Sequence, residues 1–197
     1  MRVVSAGLQA FFRGWIHPDN PYRAPRHPVL YRIWQAFMTV THRPTEEDLA
    51  QIRAFLPPRL WDLFLQMPPA EQAHGLRVWR ALQAWGVQDR DMLMAGLLHD
   101  VGKSRFRLRL WERTLVVLLV KGFPHRWKEW ARANGPRWRR ALAATLEHPH
   151  QGAEMLARHG APPRVVMLTR YHHTPIEALP EDLRPAMTLL KKADRQA

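Results

Sequence analysis

The chain has 197 residues, of which 46% are hydrophobic, and it contains no cysteine. This length suits one large domain or a domain with an extension, and the hydrophobic share suffices for a sizeable core. Because cysteine is absent, disulfides and thiolate metal sites are excluded, and any metal would be held by histidine, aspartate, glutamate or water. The net charge of +13 favours partners that carry phosphate or other anionic groups.

Prolines and glycines divide the chain into short segments with helical periodicity, and no alternating pattern predicts a strand. The predicted helices cover residues 29–40, 45–57, 58–67, 68–86, 89–100, about 105–121, 124–133, 136–147, 149–160, 162–172 and 185–197. Thr45 and Asp89 are predicted N-caps, and Asp48 is the capping-box partner of Thr45. We therefore expect an all-α helical bundle over residues 68–197, preceded by an N-terminal helical extension over residues 1–67.

Residues 103–140 form a basic, tryptophan-rich segment, with twelve Lys or Arg, two acidic residues and four of the nine tryptophans. A predicted amphipathic helix in this segment carries an apolar set and a basic set, namely Trp111, Leu115, Val116 and Leu119 with Arg107, Arg109 and Arg113. Such a surface suits an anionic membrane or nucleic acid. The alternative, which we favour, is that the tryptophans, including Trp127, Trp130 and Trp138, pack the segment onto the bundle.

The longest apolar run, residues 115–120, is far shorter than the roughly 20 residues that a bilayer crossing needs. No signal peptide is visible at the start of the sequence. We therefore expect a cytoplasmic protein, peripheral to a membrane if the basic segment binds lipid.

The pair His99-Asp100, within LLHDVGK, is the most informative feature of the sequence. It follows the apolar run of residues 93–98, so its helix is expected to be buried up to the end. Buried polar side chains need partners, and a metal ion satisfies a histidine and a carboxylate together. The same inventory of residue types recurs along the chain, at His74, His148, His172, His173 and Asp194.

This ligand set suits a two-metal hydrolytic centre. Most of its members lie at predicted helix ends, which a bundle can direct to one point, whereas His74 lies inside its helix. His148 is predicted to end one helix, with Pro149 starting the next. His150 would point to another face of that helix, and His125 and His159 are interpreted as residues outside the site.

The ordered series of motifs resembles the HD-domain metal-dependent phosphohydrolase superfamily. The segments LLHDVGK, HPHQGAEML (residues 148–156) and the doublet His172-His173 are most similar to the HD-GYP branch. The resemblance covers about residues 70–197 and implies an all-helical bundle. It also implies that His74, His99, Asp100 and Asp194 hold one metal.

Under the same resemblance, Asp100 bridges to a second metal held by His148, His172 and His173. The implied catalytic residues are Asp100 and Lys103, and Lys103 would bind the substrate phosphate as a point charge. The implied cofactor is one or two divalent transition-metal ions (Fe, Mn, Zn, Co or Ni), because histidine and carboxylate ligands suit these ions better than calcium.

Two departures limit what the resemblance implies. Residues 174–180 (TPIEALP) stand where the HD-GYP branch has a glutamate and a glycine-tyrosine-proline signature, so phosphate-ester chemistry in general is implied and cyclic dinucleotide hydrolysis is not. Ala70 occupies the position of a glutamate that holds a third metal in some relatives, and Glu71 is one step away. We therefore expect two metals at most.

The predicted function is hydrolysis of a phosphate mono- or diester, nucleotide-like, by a metal-bound hydroxide at a mono- or binuclear His/Asp site. The substrate would be an anionic, phosphate-containing small molecule, and residues 103–140 are the candidate surface for an anionic membrane or nucleic acid. Two alternatives stay open: a non-catalytic sensor or scaffold that binds metal or nucleotide, and a di-iron oxygenase built on the same fold.

Overall fold

The computed structural model describes residues 43–106, 108 and 110–197. The predicted helix over 29–40 and the residues Arg107 and Arg109 lie outside the described residues. The described part of the chain consists of helices joined by short loops and contains no strand, which confirms the predicted all-α class.

The described α-helices are numbered here in chain order. They are α1 (Glu46–Phe55), α2 (Pro58–Leu65), α3 (Pro69–Ala84), α4 (Arg90–Leu98), α5 (Leu110–Gly122), α6 (Trp127–Trp130), α7 (Arg137–Arg158), α8 (Pro163–Tyr171) and α9 (Arg184–Gln196). Short 3-10 helices cover Val101–Arg105, Ile176–Ala178 and Glu181–Leu183. None of the helices in the described part has both the length and the apolar character that a membrane crossing requires.

Helix starts follow the predicted capping signals. The Thr45 side chain accepts a hydrogen bond from the Asp48 backbone N–H, and the Asp48 carboxylate accepts one from the Thr45 N–H, which completes a capping box. The Asp89 carboxylate accepts from the backbone N–H groups of Asp91 and Met92 at the start of α4. Both predicted N-caps are therefore confirmed.

The main hydrophobic core joins α1 and α2 to the helices that carry the predicted site residues. Buried side chains of the first two helices, such as Ile52 and Phe64, lie in the same cluster as Leu97 of α4 and Leu168 of α8. The most extensive packing joins α7 to α8 and α3 to α4. Residues 43–67 thus share one core with the later helices, while residues 1–42 of the predicted extension lie outside the described residues.

Helix α7 corrects one prediction. The sequence predicted a helix break at His148, whereas α7 continues through Pro149 to Arg158. An internal proline removes one backbone hydrogen bond and costs about 3 kcal/mol in a helix interior. Both His148 and Pro149 are buried, and α7 packs on α8, α5 and the first 3-10 helix. This tertiary packing outweighs the local cost, so His148 lies mid-helix.

The basic segment packs onto the bundle through a second, smaller core. Val116 of α5, Trp127, Ala141 and Leu142 are buried together, and Trp130 and Trp138 pack against them. Packing through these three tryptophans confirms the interpretation favoured from the sequence. Trp111 differs, because it is 50% exposed. The amphipathic prediction placed Trp111 and Val116 on one face of the helix, but Trp111 does not share the buried face of α5 with Val116.

Candidate metal centre

Residues from five parts of the bundle converge at the end of α4. His99 and Asp100 follow α4 directly, His74 lies on α3, His148 on α7 and Asp194 on α9. His172 and His173 follow α8. The ligand atoms form two groups, and within each group they lie within 4.8 Å of one another: His74 with His99 and Asp194, and His148 with His172 and His173. All the metal ligands predicted from the sequence are therefore neighbours in the fold.

Asp100 lies between the two groups and directs one carboxylate oxygen toward each. Its Oδ2 is 3.5 Å from His99 Nε2 and 3.8 Å from His74 Nε2. Its Oδ1 is 3.3 Å from His148 Nε2 and 3.7 Å from His172 Nε2. The Asp100 side chain is only 4% exposed, so these groups are its immediate surroundings. A carboxylate in this position can join two cation sites.

Backbone carbonyls fix the orientation of the three buried imidazoles. The Nδ1–H groups of His99, His148 and His172 donate to the carbonyl oxygens of Gly96, Ala144 and Thr169, at 3.1, 3.2 and 2.7 Å. A protonated Nδ1 leaves the Nε2 lone pair available, which is the tautomer that ligation of a metal through Nε2 requires. In each case that Nε2 faces Asp100. The helix ends and backbone of α4, α7 and α8 thus orient the ligands before any ion arrives.

The donor set fits a bound cation. His99 Nε2 is buried and has no hydrogen-bond partner among the described residues, since Asp100 and Asp194 lie at 3.5 and 3.6 Å. The Nε2 atoms of His148 and His172 face each other at 3.3 Å, although both rings donate through Nδ1. Buried, unsatisfied nitrogen lone pairs are costly, and a cation among them removes that cost.

Charges within the first group shift its pKa values in opposite directions. Burial alone would lower the pKa of His99, but the nearby carboxylates of Asp100 and Asp194 outweigh it and raise the pKa to about 9. Burial would raise the pKa of Asp194, but the hydrogen bond from His74 Nε2 at 2.8 Å and the proximity of His99 hold it well below its usual range. Without metal, a proton on His99 partly replaces the missing positive charge.

The second group has the opposite electrostatics. Burial and the charge of nearby His99 lower the pKa of His172 well below its usual value. Burial and the neighbouring His148 lower the pKa of His173 to about 4. The pKa of Asp100 is held well below its ordinary value, because Lys103 and His99 outweigh the effect of burial. His172 and His173 are therefore neutral and Asp100 is charged at neutral pH, the protonation states that metal ligation requires.

A cavity of about 280 Å³ adjoins the second group. Its lining combines polar residues of the site with an apolar wall, namely Glu71, Lys103, Thr145, His148 and His173 with Phe106, Leu108, Val116, Val117 and Ala144. Lys103 Nζ lies 2.5 Å from Asp100 Oδ2 and 3.3 Å from Glu71 Oε2. The predicted phosphate-binding lysine thus stands between the centre and the cavity.

Glu71 is a site residue whose place the sequence did not predict. The sequence places Glu71 one step from the third-metal position of some relatives and gives it no role, whereas the structure buries it against Lys103 in the cavity wall. The position of Glu71 on α3, one turn before His74 and on the same side of the helix, was the available signal. Thr145 is a second addition, since it lies one turn before His148 on α7 and lines the same cavity.

A close approach of two helices places His74 beside His99. A Cβ built on Gly75 would lie 2.4 Å from the carbonyl oxygen of Leu97, so only glycine permits α3 to pack this tightly on α4. His74 precedes Gly75 directly, and its ring centroid is 5.3 Å from that of His99. The packing of the backbone therefore sets the spacing within the first group.

A family model described as HD domain matches residues 72–196, which is more than half of the chain. The matched region begins just before His74 and ends after Asp194, so it includes both groups of candidate ligands. No curated protein and no solved structure matches the chain.

Proposed function

Because the chain belongs to the HD domain family, we propose that it is a metal-dependent phosphohydrolase that cleaves a phosphate mono- or diester. Membership in this family suggests a protein of a metal-dependent hydrolase superfamily. The two groups of histidine and aspartate side chains are suited to hold divalent ions. The nature of the ester bond and the involvement of the cavity are our proposals.

The observation that carries the proposal is the position of Asp100. Its Oδ1 and Oδ2 atoms face two separate nitrogen-containing groups, and Lys103 at the cavity wall contacts the same carboxylate. A buried carboxylate between two histidine groups, beside a cavity with a cation in its wall, suits binding of two ions and an anionic substrate. It suits a purely structural role poorly, because the buried Nε2 of His99 would stay without a hydrogen-bond partner.

The residues fit the proposed ions as follows. His74, His99, Asp100 and Asp194 would hold one ion, and Asp100, His148, His172 and His173 the other. When bound, the ions would polarise a phosphoryl oxygen and lower the pKa of a water molecule toward neutrality. The ligand types suit iron, manganese, zinc, cobalt or nickel.

The remaining tasks fall to side chains of the protein. Burial would lower the pKa of Lys103, but Asp100 and Glu71 outweigh it and raise the pKa above its ordinary value. Lys103 therefore stays protonated and binds a phosphate oxygen through Nζ, without acting as a base. The Asp194 side chain is 34% exposed, against 4% for Asp100. Asp194 is thus the carboxylate that a water molecule can reach, and it can orient that water by accepting its proton in a hydrogen bond.

Metal analysis combined with an activity screen tests the proposal. The wild-type protein, reconstituted separately with manganese, iron or zinc, is expected to bind metal and to hydrolyse p-nitrophenyl phosphate or bis(p-nitrophenyl) phosphate. Asp100→Ala is expected to lose both properties. His150→Ala changes an exposed histidine of α7, two residues after His148, and is expected to keep both. Metal binding without hydrolysis of any phosphate ester would favour a sensor or scaffold, and an oxygen-dependent product with iron would favour an oxygenase.

A further inference from the structure

Helix α5 and the turn after it expose large apolar side chains. The exposed fractions are 50% for Trp111, 49% for Val117, 63% for Leu118 and 48% for Phe123. Trp111 and Leu118 are seven residues apart and therefore lie on one face of the helix, with Val117 beside them. Exposed apolar patches of this kind mark interaction surfaces more often than single exposed hydrophobic residues do.

This apolar face is not needed to attach α5 to the bundle. The opposite side of the helix carries Val116, which is buried in the second core, and Glu112, which is buried and accepts a hydrogen bond from Arg137 Nε at 2.6 Å. The helix is thus held by one side while its other side faces solvent. The exposed side is available for a partner.

Exposed cations lie at the end of the apolar face and in the segment that follows it. Lys121 lies on the same side of α5, and Arg126, Lys128 and Arg132 follow within the next eleven residues, all exposed. Residues 103–140 contain two acids, and one of them, Glu112, is buried against Arg137. The surface therefore combines apolar side chains with a local excess of positive charge.

We propose that the surface formed by Trp111, Val117, Leu118, Lys121 and Phe123 docks on an anionic lipid bilayer. In this geometry the apolar side chains enter the boundary between headgroups and acyl chains, and the cations contact anionic headgroups. A helix that exposes Trp and Leu on one face, with a lysine in its last turn and further exposed cations after it, has the chemistry that such interfaces bind.

The exposed side chains fit lipid better than nucleic acid. Two tryptophans that would serve base stacking are already engaged, because Trp127 is buried and Trp130 packs against Phe123 and Arg126. Of the four exposed apolar side chains, Val117 and Leu118 are aliphatic, and aliphatic side chains gain little from contact with bases or phosphates. A second copy of the chain would bring another strongly basic surface, which opposes association.

Docking would also place the cavity beside the lipid. Val117 belongs both to the exposed face and to the cavity wall, which is apolar at Phe106, Leu108 and Val116. This substrate inference rests on the proposed function: the cavity would take a phosphate ester that carries an alkyl group, with the phosphate at Lys103 and the alkyl group along the apolar wall.

Vesicle sedimentation tests the docking without any need for turnover. Full-length protein at low salt is expected to sediment with vesicles of phosphatidylglycerol and phosphatidylcholine, and not with vesicles of phosphatidylcholine alone. The double variant Trp111→Glu/Leu118→Glu is expected to reduce the bound fraction at least fivefold. The matched control Leu65→Glu/Met167→Glu changes two exposed apolar residues of α2 and α8 and should bind as the wild type does. Circular dichroism verifies that each variant is folded.

Four results would overturn the docking proposal. The first is wild-type protein that does not bind anionic vesicles at low salt, and the second is equal binding by the Trp111→Glu/Leu118→Glu variant. The third is binding of a single-stranded oligonucleotide, in place of vesicles, that the double variant abolishes, since this would assign the surface to nucleic acid. Self-association of the wild type that the variant removes, without vesicle binding, would assign it to a second copy.

Chain-length dependence tests the substrate inference separately. Two pairs of substrates are compared: hexyl phosphate with methyl phosphate, and hexyl p-nitrophenyl phosphate with methyl p-nitrophenyl phosphate. In each pair the kcat/KM for the hexyl ester is expected to be at least tenfold higher, because the added methylene groups are buried on the apolar wall. Equal values would overturn the substrate inference while leaving the docking result intact. Absence of hydrolysis for every ester would instead count against the proposed function.

Discussion

Gly102 lies directly against the backbone of His148: a Cβ built on Gly102 would stand 2.0 Å from the His148 carbonyl oxygen and 2.6 Å from the Gly152 nitrogen. This contact brings the 3-10 helix after Asp100 onto α7. It therefore sets the distance between the Asp100 carboxylate and the imidazole of His148. Gly102 and Gly152 thus permit the two backbones to approach closely.

Replacement of Gly102 by alanine is expected to disturb both stability and the centre. The new methyl group meets backbone atoms, which cannot move aside as a flexible side chain can, so the free energy of unfolding should fall by roughly 2–4 kcal/mol. Urea denaturation and metal titration measure the two effects. Gly122→Ala is the matched control, because nothing lies within 4 Å of the added Cβ. Equal stability of Gly102→Ala and Gly122→Ala would contradict the contact.

The two groups of ligands predict a stepwise loss of metal. His173 belongs to one group only, so His173→Ala should lower the bound metal from two ions to one per chain. Asp100 faces both groups, so Asp100→Asn should weaken both sites. Elemental analysis after dialysis against a fixed free-metal concentration measures the stoichiometry. His150→Ala should match the wild type, and a His173→Ala variant that still holds two ions would refute the assignment.

Lys103 should affect catalysis far more than metal binding. Removal of its charge by Lys103→Gln takes away a cation at the place where the phosphate is proposed to bind, and we expect kcat/KM to fall about 100-fold. Metal affinity should be retained or increased, because the repulsion between Lys103 and the ions disappears. Arg105→Gln changes an exposed cation of the same 3-10 helix and should have little effect. Lost metal in Lys103→Gln would instead indicate a structural role for the lysine.

Local signals in the sequence accounted for most of the site. The apolar run before His99, the cap at Asp89 and the prolines at the start of α8 are short-range features, and they delimit the two helices that end at His99 and His172. The ligand types then restrict the chemistry. For these reasons the all-α class, the family and the set of neighbouring ligands could be predicted without coordinates.

Predictions from the sequence failed where tertiary packing competes with a local rule. Pro149 normally starts or breaks a helix, but burial of the face of α7 that carries His148 and Pro149 takes the helix through it. Glu71 and the cavity could not be assigned, because the lining comes from elements far apart in sequence. The exposure of Trp111 depends on which face of α5 the second core covers, and helical periodicity alone does not determine that choice.

The shifted histidines predict that the stability of the metal-free protein passes through a maximum near pH 6.5. The folded-state pKa of His99 is raised from 6.5 to about 9, so its contribution is complete below pH 6.5 and is lost as the pH rises through 9. The pKa values of His172 and His173 are lowered, that of His173 to about 4. Their contribution is present above pH 6.5 and is lost as the pH falls toward 4.

Urea denaturation of EDTA-treated protein between pH 5 and 9 measures both sides of this maximum. On the alkaline side, a shift of this size in His99 corresponds to a loss of about 3 kcal/mol. His99→Gln cannot titrate, so its stability should be nearly constant between pH 7 and 9, whereas His150→Gln should keep the wild-type slope. Because His99 acquires its raised pKa from Asp100 and Asp194, an alkaline slope that persists in His99→Gln would show that another group carries the proton.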